Sequence, residues 1–398
     1  MAKHYIFFTK NTLPQPRADL VQVTNSANAA ANLGYSSVLA HISKDVNATD
    51  PRNWLLPFQP KRPEKSLAEF YNMQDKLKVA ALPVPWPMGR VKKKWADVST
   101  LVCKYHLPIH MRPVTQIVQT RDWNFAKAAV QCGIPAIYEH NHHDDKRFEP
   151  EIVNNPLLVL AVTVVDTVQE SMIRNGMPAE KVLRLHSGFN QVFSVRQTEQ
   201  AETWRQTLLS PDYQYLAVYS GGLYKFKGVD LLLDVAKALP HVYFVFAGGN
   251  EAKVEYYRTL AQEKGVQNAK FLGHLPHEQL PSLLQSADVL LHPHLSGEEA
   301  SFTSPLKFFE YMATGTPIVA TGIPSLLEFK PPGVVAGWCE PDDPVQFTQC
   351  LQQVLETHPR KSEGYTNSIN FAQQFSWESR ISKILSHVDE SMRPVPIS

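Results

Sequence analysis

Ser304, Pro305, Leu306, Lys307 and Glu310 fall within one stretch, residues 301–320, that reads as a loop, a helix, a tight turn and a strand. Ser304 is a good N-cap and Pro305 suits the first helical position, where its missing N–H costs nothing, while Gly315 and Pro317 stop the helix. The first turn of such a helix offers unpaired N–H groups at the positive end of the peptide dipoles, and an anion such as a diphosphate can bind there. Glu310 lies too far along the helix to serve that anion. It shares a face with Leu306 at i, i+4 spacing, so its carboxylate stands beside the same cleft and can accept hydrogen bonds from a ribose diol. A phosphate site next to a ribose site suggests a nucleotide.

Two other stretches carry residues of chemical interest. Ser220-Gly221-Gly222-Leu223-Tyr224-Lys225-Phe226-Lys227-Gly228 follows the apolar strand Tyr215–Tyr219 and precedes a helix whose Val229, Leu232, Leu233, Ala236 and Leu239 recur at helical spacing. Strand, glycine loop and amphipathic helix in that order let backbone approach a phosphate closely; the same residues also suit a tight turn with two solvated lysines. Glu139-His140-Asn141-His142-His143-Asp144-Asp145 closes a strand over Ile134–Tyr138 and so faces a cleft. Its histidines and aspartates are metal-ligand types, but they crowd one loop instead of converging from several elements, and a purely structural role stays open. Strand alternation would turn His140 and His142 to one side and Asn141 to the other, unless a bulge resets the register.

The elements behind these loops read as parallel sheets. Tyr5–Phe8 is a strand, Arg17 to Gly34 spans a helix and Val38–Ala40 is the next strand, an order that demands a right-handed crossover and opens a doubly wound domain. Thr115–Thr120 continues the sheet, with a helix over Asn124–Cys132. The longest apolar run, Pro156–Val165, is about half the ~20 residues of a spanning helix and reads as a buried strand. The pattern restarts at Tyr215, with further strands at Tyr243–Ala247 and Ala287–Pro293, and the stretch Lys270–Leu275 between them follows a helix. Polar Gln197–Pro211 marks a junction near residues 194–212.

Composition agrees with an ordinary α/β protein. A chain of 398 residues exceeds the ~100–200 residues of one domain, so two are expected. Lysine and arginine total 39 against 38 acidic residues, a balance that argues against nucleic acid as partner. Cys103, Cys132, Cys339 and Cys350 are scattered without CxxC spacing, which fits a reducing cytoplasm and suggests neither a zinc site nor a disulfide framework. No apolar leader precedes the first strand, so secretion is not expected. Leu82–Trp95 interleaves prolines and tryptophans with a basic cluster, the composition either of a surface loop or of a segment resting on an anionic membrane face.

Ser304-Pro305-Leu306-Lys307-Phe308-Phe309-Glu310-Tyr311-Met312-Ala313 resembles the donor-binding motif of retaining glycosyltransferases of family 4, covering the second domain closely and the first loosely. The resemblance implies a GT-B fold, with two doubly wound Rossmann-like domains facing a central cleft. It places an acceptor domain at residues 1–194, joined by the terminal helix 376–398, and a donor domain at 195–375. It implies transfer of a sugar, with retention, from a UDP- or GDP-type nucleotide-sugar to a sugar, lipid-linked sugar or small-molecule acceptor. No cofactor and no metal are expected, and the location implied is the cytoplasm or the inner face of a membrane. In this likeness Lys227 and Lys307 meet the phosphates with Gly221, Gly222 and the Ser304 helix end. Glu310 holds the ribose, while Gly249, His274 and Leu275 border the nucleobase. His140 or His142 orients the reacting sugar, although the family register falls on Asn141. Three further positions depart from the family pattern: Gly222 replaces an arginine, Phe302 a carboxylate and Asn190 an aspartate, with Glu298 or Glu299 as substitutes for the carboxylate. The departures at Gly222 and Phe302 motivate one rival, a GT-B protein that binds a nucleotide-sugar or polysaccharide without turnover; a second, a nucleotide-sugar epimerase, keeps the ribose and phosphate sites but needs no acceptor.

Overall fold

The computed structural model describes residues 3–43, 53, 55–84, 98–142, 146–298, 300 and 306–397. Ser304 and Pro305, Glu299 and Phe302, His143 to Asp145, and Pro85–Trp95 of the candidate membrane segment lie outside them. The chain divides into one unit of Met1–His186 with Trp377–Ser398, and a second of Ser187–Ser376.

The first unit is a seven-stranded parallel sheet of β1 (His4–Thr9), β2 (Ser37–Ser43), β3 (Lys78–Pro83), β4 (Thr115–Thr120), β5 (Ala136–Glu139), β6 (Leu158–Thr163) and β7 (Val182–Arg184). Their order across the sheet is β3-β2-β1-β4-β5-β6-β7. Strands such as β1 are apolar on both faces because helices cover both, and Tyr5, Ile6, Phe7 and Phe8 are all buried. The order reverses between β1 and β4, the place where a doubly wound sheet leaves a crevice beyond its carboxyl ends. Asp122 caps the helix Trp123–Gln131 at that edge by accepting from the Phe125 N–H at 2.9 Å.

The chain returns to this unit at its end. The terminal helix expected over 376–398 spans only Trp377–Ser386, and a helix Thr366–Ala372 and a 3₁₀ turn Gln373–Phe375 precede it. Ser376 is extended, with ψ of 154°, which breaks the helix and lets its second part leave the second unit. That second part meets the helix Ala18–Asn32, where Asn32 Nδ2 donates to Glu378 Oε1 at 2.8 Å.

The second unit is a six-stranded parallel sheet of β8 (Tyr215–Ser220), β9 (Val242–Ala247), β10 (Ala269–Gly273), β11 (Val289–His292), β12 (Ile318–Thr321) and β13 (Gly337–Cys339). The order β10-β9-β8-β11-β12-β13 reverses between β8 and β11. Ser187 to Ser194, expected with the first domain, belong here: Phe189 and Phe193 are fully buried with Val218, Leu283 and Phe309. Two loops at the carboxyl ends are packed so closely that a side chain would not fit. A Cβ at Gly228, where φ is 72°, would lie 1.9 Å from the Pro293 carbonyl oxygen, and one at Gly248, where φ is 123°, would lie 2.1 Å from that of Gly221. The helix Leu306–Thr314 is buried along nearly its whole length, with Phe308, Phe309, Tyr311 and Met312 inaccessible to solvent.

Candidate functional sites in the two units

In the second unit the reversal of strand order brings together the loops that follow β8 and β11. Tyr311 fixes the first of them: its hydroxyl accepts from the Ser220 N–H at 2.6 Å and donates to the Ser220 carbonyl at 3.2 Å, one residue before Gly221. Gly221 N donates to the Ala247 carbonyl at 2.9 Å and Gly248 N to the Gly273 carbonyl at 2.6 Å, so the three glycine-bearing strand exits are stitched to one another. Gly249 is part of this packing, since a Cβ there would press on Leu223 at 2.7 Å.

Lys227 ends the first loop. Burial, then the positive charge of Lys307, lower its ammonium pKa to about 8, against a smaller opposing effect of Glu310. Lys307 Nζ sits 2.7 Å from Glu310 Oε2, and Glu310 is only 5% exposed. The residues assigned separately to phosphate and ribose are therefore an ion pair, one helical turn apart. Leu306 opens the same helix, and Leu275 packs against the second unit's core. Lys225 points to solvent, as do His274 and Glu298.

Three histidines escaped the sequence reading. His277 feels the charges of Glu310, Lys307 and His274, and burial pushes its pKa down to about 4. His292 and His294 stack with ring centroids 4.1 Å apart at the exit of β11, and both are buried. Burial and the Lys227 charge press His292 down to about 3, and neither of its ring nitrogens finds a hydrogen-bond partner among the described residues. Two neutral rings thus wall a site whose charges are Lys227, Lys307 and Glu310. The signal was present in His292-Pro293-His294, at the carboxyl end of the strand beside the reversal point.

In the first unit a pocket of about 220 Å³ opens at the ends of β1, β4 and β5, lined by Thr9, Lys10, Arg17, Arg121, His140, Asn141 and His142 among others. The histidine cluster does not follow strand alternation. His140 still does: its N–H donates to the Val162 carbonyl at 2.8 Å, and its Nδ1 lies 2.9 Å from the Tyr138 hydroxyl, two residues back on the same face. Past His140 the chain bends. Asn141 Nδ2 donates to Gln22 Oε1 at 3.0 Å, and His142 Nε2 lies 3.4 Å from Arg121 Nη2, whose Nη1 donates to the same Gln22 oxygen at 3.2 Å. His142 therefore groups with Asn141 and Arg121, and His140 stands apart with Tyr138. Burial and the Arg121 charge both lower the His142 pKa, so the ring is neutral near pH 7. Among the described residues no group of three histidines, cysteines, aspartates or glutamates is placed to hold a metal.

Behind this loop lies a buried charge pair that the sequence gave no hint of. Glu139 receives Arg380 Nη1 at 3.0 Å and Nη2 at 3.4 Å, Gln22 Nε2 at 2.5 Å, and the amide of Gln119, which in turn accepts from the Tyr5 hydroxyl. The two side chains are 4% and 2% exposed. Arg380 also donates to the His186 carbonyl at 3.0 Å, so the returning helix anchors the strand end that carries His140. Arg17, which precedes the helix Ala18–Asn32, chelates Asp19 at 2.9 Å on the surface.

Paired parallel-sheet units with ligand loops at both reversal points define the class: this is the GT-B fold. The Anabaena protein HepE, solved with UDP and glucose, has the same fold over 97% of this chain and 100% of its own, with a TM-score of 0.68 and 17% identity. Residues 200–371 match the family model described as glycosyl transferases group 1. Curated relatives include the D-inositol 3-phosphate glycosyltransferases of Corynebacterium diphtheriae, 27% identical over 252 residues, and of Corynebacterium aurimucosum, 25% identical over 246. These alignments take in 60% and 59% of this chain and 57% of each relative. No helix among the described residues is long and apolar enough to cross a membrane.

Proposed function

We propose that this chain transfers a hexose from a UDP- or GDP-type nucleotide-sugar to an acceptor with retention of configuration. The observation that carries the reading is Lys227, a part-buried lysine that feels the charges of Lys307 and Glu310 at the reversal point of the second sheet. Two ammonium groups in such a place raise each other's energy, and a diphosphate between them relieves it. As the bond to the sugar breaks, negative charge grows on the leaving diphosphate, and Lys227, Lys307 and the backbone N–H group of Gly222 stabilise it. Glu310 binds the ribose diol, which competes with Lys307 for its carboxylate and frees that lysine for the phosphate. Gly249, His274 and Leu275 border the base. The first unit takes the acceptor, and His140 or His142 stabilises the positive charge that develops on the sugar.

The relatives that act on D-inositol 3-phosphate, and HepE with UDP and glucose, support the donor and reaction class. The missing arginine at Gly222 favours the rival without turnover, so the deciding test is chemical. The protein is incubated with a panel of UDP- and GDP-hexoses and candidate acceptors while proton NMR follows the anomeric signals. Release of nucleoside diphosphate with a product of the donor's anomeric configuration is expected. An inverted product would refute retention, interconversion of donor epimers would favour the epimerase, and binding without turnover would favour the non-catalytic protein.

A further inference from the structure

Among the described residues, the pocket of the first unit carries a charge that its own side chains do not balance. Its lining holds the cations Lys10, Arg17 and Arg121 and the carboxylates of Asp19, Asp122 and Glu139. Glu139 is committed to Arg380, a residue behind the pocket, and to two amide donors. Asp122 lies 3.3 Å from Lys10, caps the helix Trp123–Gln131 and accepts from Ser99 at 3.0 Å. Asp19 is chelated by Arg17 through two nitrogens, at 3.1 and 2.9 Å. That leaves Arg121, whose guanidinium has no carboxylate within ion-pair distance among the described residues. It donates to the neutral oxygen of Gln22 and faces the neutral ring of His142. A guanidinium has five N–H donors in a flat fork that suits two oxygens of one anion, and this one uses at most two of them. Burial disfavours its charge, while the fields of Glu139 and Asp19 sustain it.

We propose that this pocket binds a phosphate group carried by the acceptor, with Arg121 as its principal counter-charge and Lys10 and Arg17 at the rim. The inference rests on the reading that the first unit takes the acceptor. A phosphate monoester is a dianion at neutral pH and compensates Arg121 while drawing on Lys10 and Arg17, which are about half exposed and able to turn from their aspartates. A neutral acceptor would leave the guanidinium half-buried without an anion, at a cost.

The test uses the full chain and inorganic phosphate as probe, at constant ionic strength and with saturating UDP, its binding read by phosphorus NMR line broadening. Arg121→Gln should raise the phosphate Kd about ten-fold or more, the scale of a lost charged hydrogen-bond pair, and Arg121→Lys should fall between it and the wild type. Lys227→Met should leave this phosphate Kd unchanged, which separates the pocket from the donor site. No saturable binding by the wild type, or equal Kd values for the wild type and Arg121→Gln, overturns the proposal. If the glutamine variant does not fold, Arg121→Lys decides, and a phosphate Kd equal to that of the wild type overturns it. Failure of UDP to bind would count against the donor reading alone, because the Arg121 dependence of phosphate binding is measured separately.

Discussion

The lowered pKa of Lys227 makes nucleotide affinity depend on pH in a direction that can be worked out. In the ligand-free protein the ammonium loses its proton near pH 8, because burial and Lys307 oppose the charge. A bound diphosphate favours the charge and moves the pKa back toward the ~10.4 of an ordinary lysine. Below pH 7 the lysine is protonated with or without ligand and adds no slope of its own to the affinity. Above pH 8 binding must take up a proton, so affinity falls by about ten-fold for each further pH unit until the pKa of the complex is reached. Between pH 7 and pH 9 the Kd for UDP should thus rise about ten-fold, and calorimetry in buffers of different ionisation enthalpy should register close to one proton taken up at the upper pH. The terminal phosphate of UDP is fully ionised over this range, with its second pKa near ~6. Lys227→Met provides the control, since any titration of the base persists in it while the lysine-linked slope disappears. A Kd that does not change between pH 7 and pH 9, or an equal slope in Lys227→Met, would refute the reasoning.

Other outcomes follow from the same geometry. Glu310→Ala should weaken UDP or GDP binding by roughly 1.5–3 kcal/mol, the range for a hydrogen bond to a charged group, as read by calorimetry; unchanged affinity in a folded variant would remove the ribose role. Arg380→Met leaves Glu139 charged and buried, and should cost about 3–5 kcal/mol in urea unfolding, with part recovered in the Glu139→Gln, Arg380→Met double variant. A loss below ~1 kcal/mol would show that water reaches the pair. One of His140→Ala and His142→Ala should lose turnover by about 10²–10³-fold with nucleotide affinity nearly intact, and EDTA should not affect the wild type. Full turnover in both variants would leave the role to Asn141 or to no side chain.

The candidate site of the second unit was the more legible part of the chain because its information is local. Leu306, Lys307 and Glu310 lie within one helix and two turns, and Gly221 to Gly228 within one loop, so spacing and turn chemistry suffice to place them. What spacing could not convey is that Lys307 and Glu310 satisfy each other when no ligand is present, since either residue suits a ligand equally well on paper. The pocket of the first unit depends on contacts remote in sequence. Glu139 and Arg380 are 241 residues apart, and Gln22 joins helix and loop across 119 residues at Asn141, distances at which no periodicity carries a signal. The bend after His140 likewise comes from tertiary hydrogen bonds to Arg121 and Gln22, which override the two-residue alternation of a strand. The boundary between the units moved from residue 194 to Ser187 because Phe189 and Phe193 fill the second core, a matter of which apolar cavity is available to them.

The central claim is that the second unit holds a nucleoside diphosphate by its phosphates, with Lys227 and Lys307 as the charges responsible. Calorimetry of UDP, GDP, uridine and guanosine against the wild type and the Lys227→Met, Lys307→Met double variant tests it most directly. The account predicts saturable binding of a diphosphate by the wild type and a loss in the double variant far larger for the diphosphate than for the matching nucleoside. Equal losses for the two, or no saturable nucleotide binding by the wild type, would contradict it.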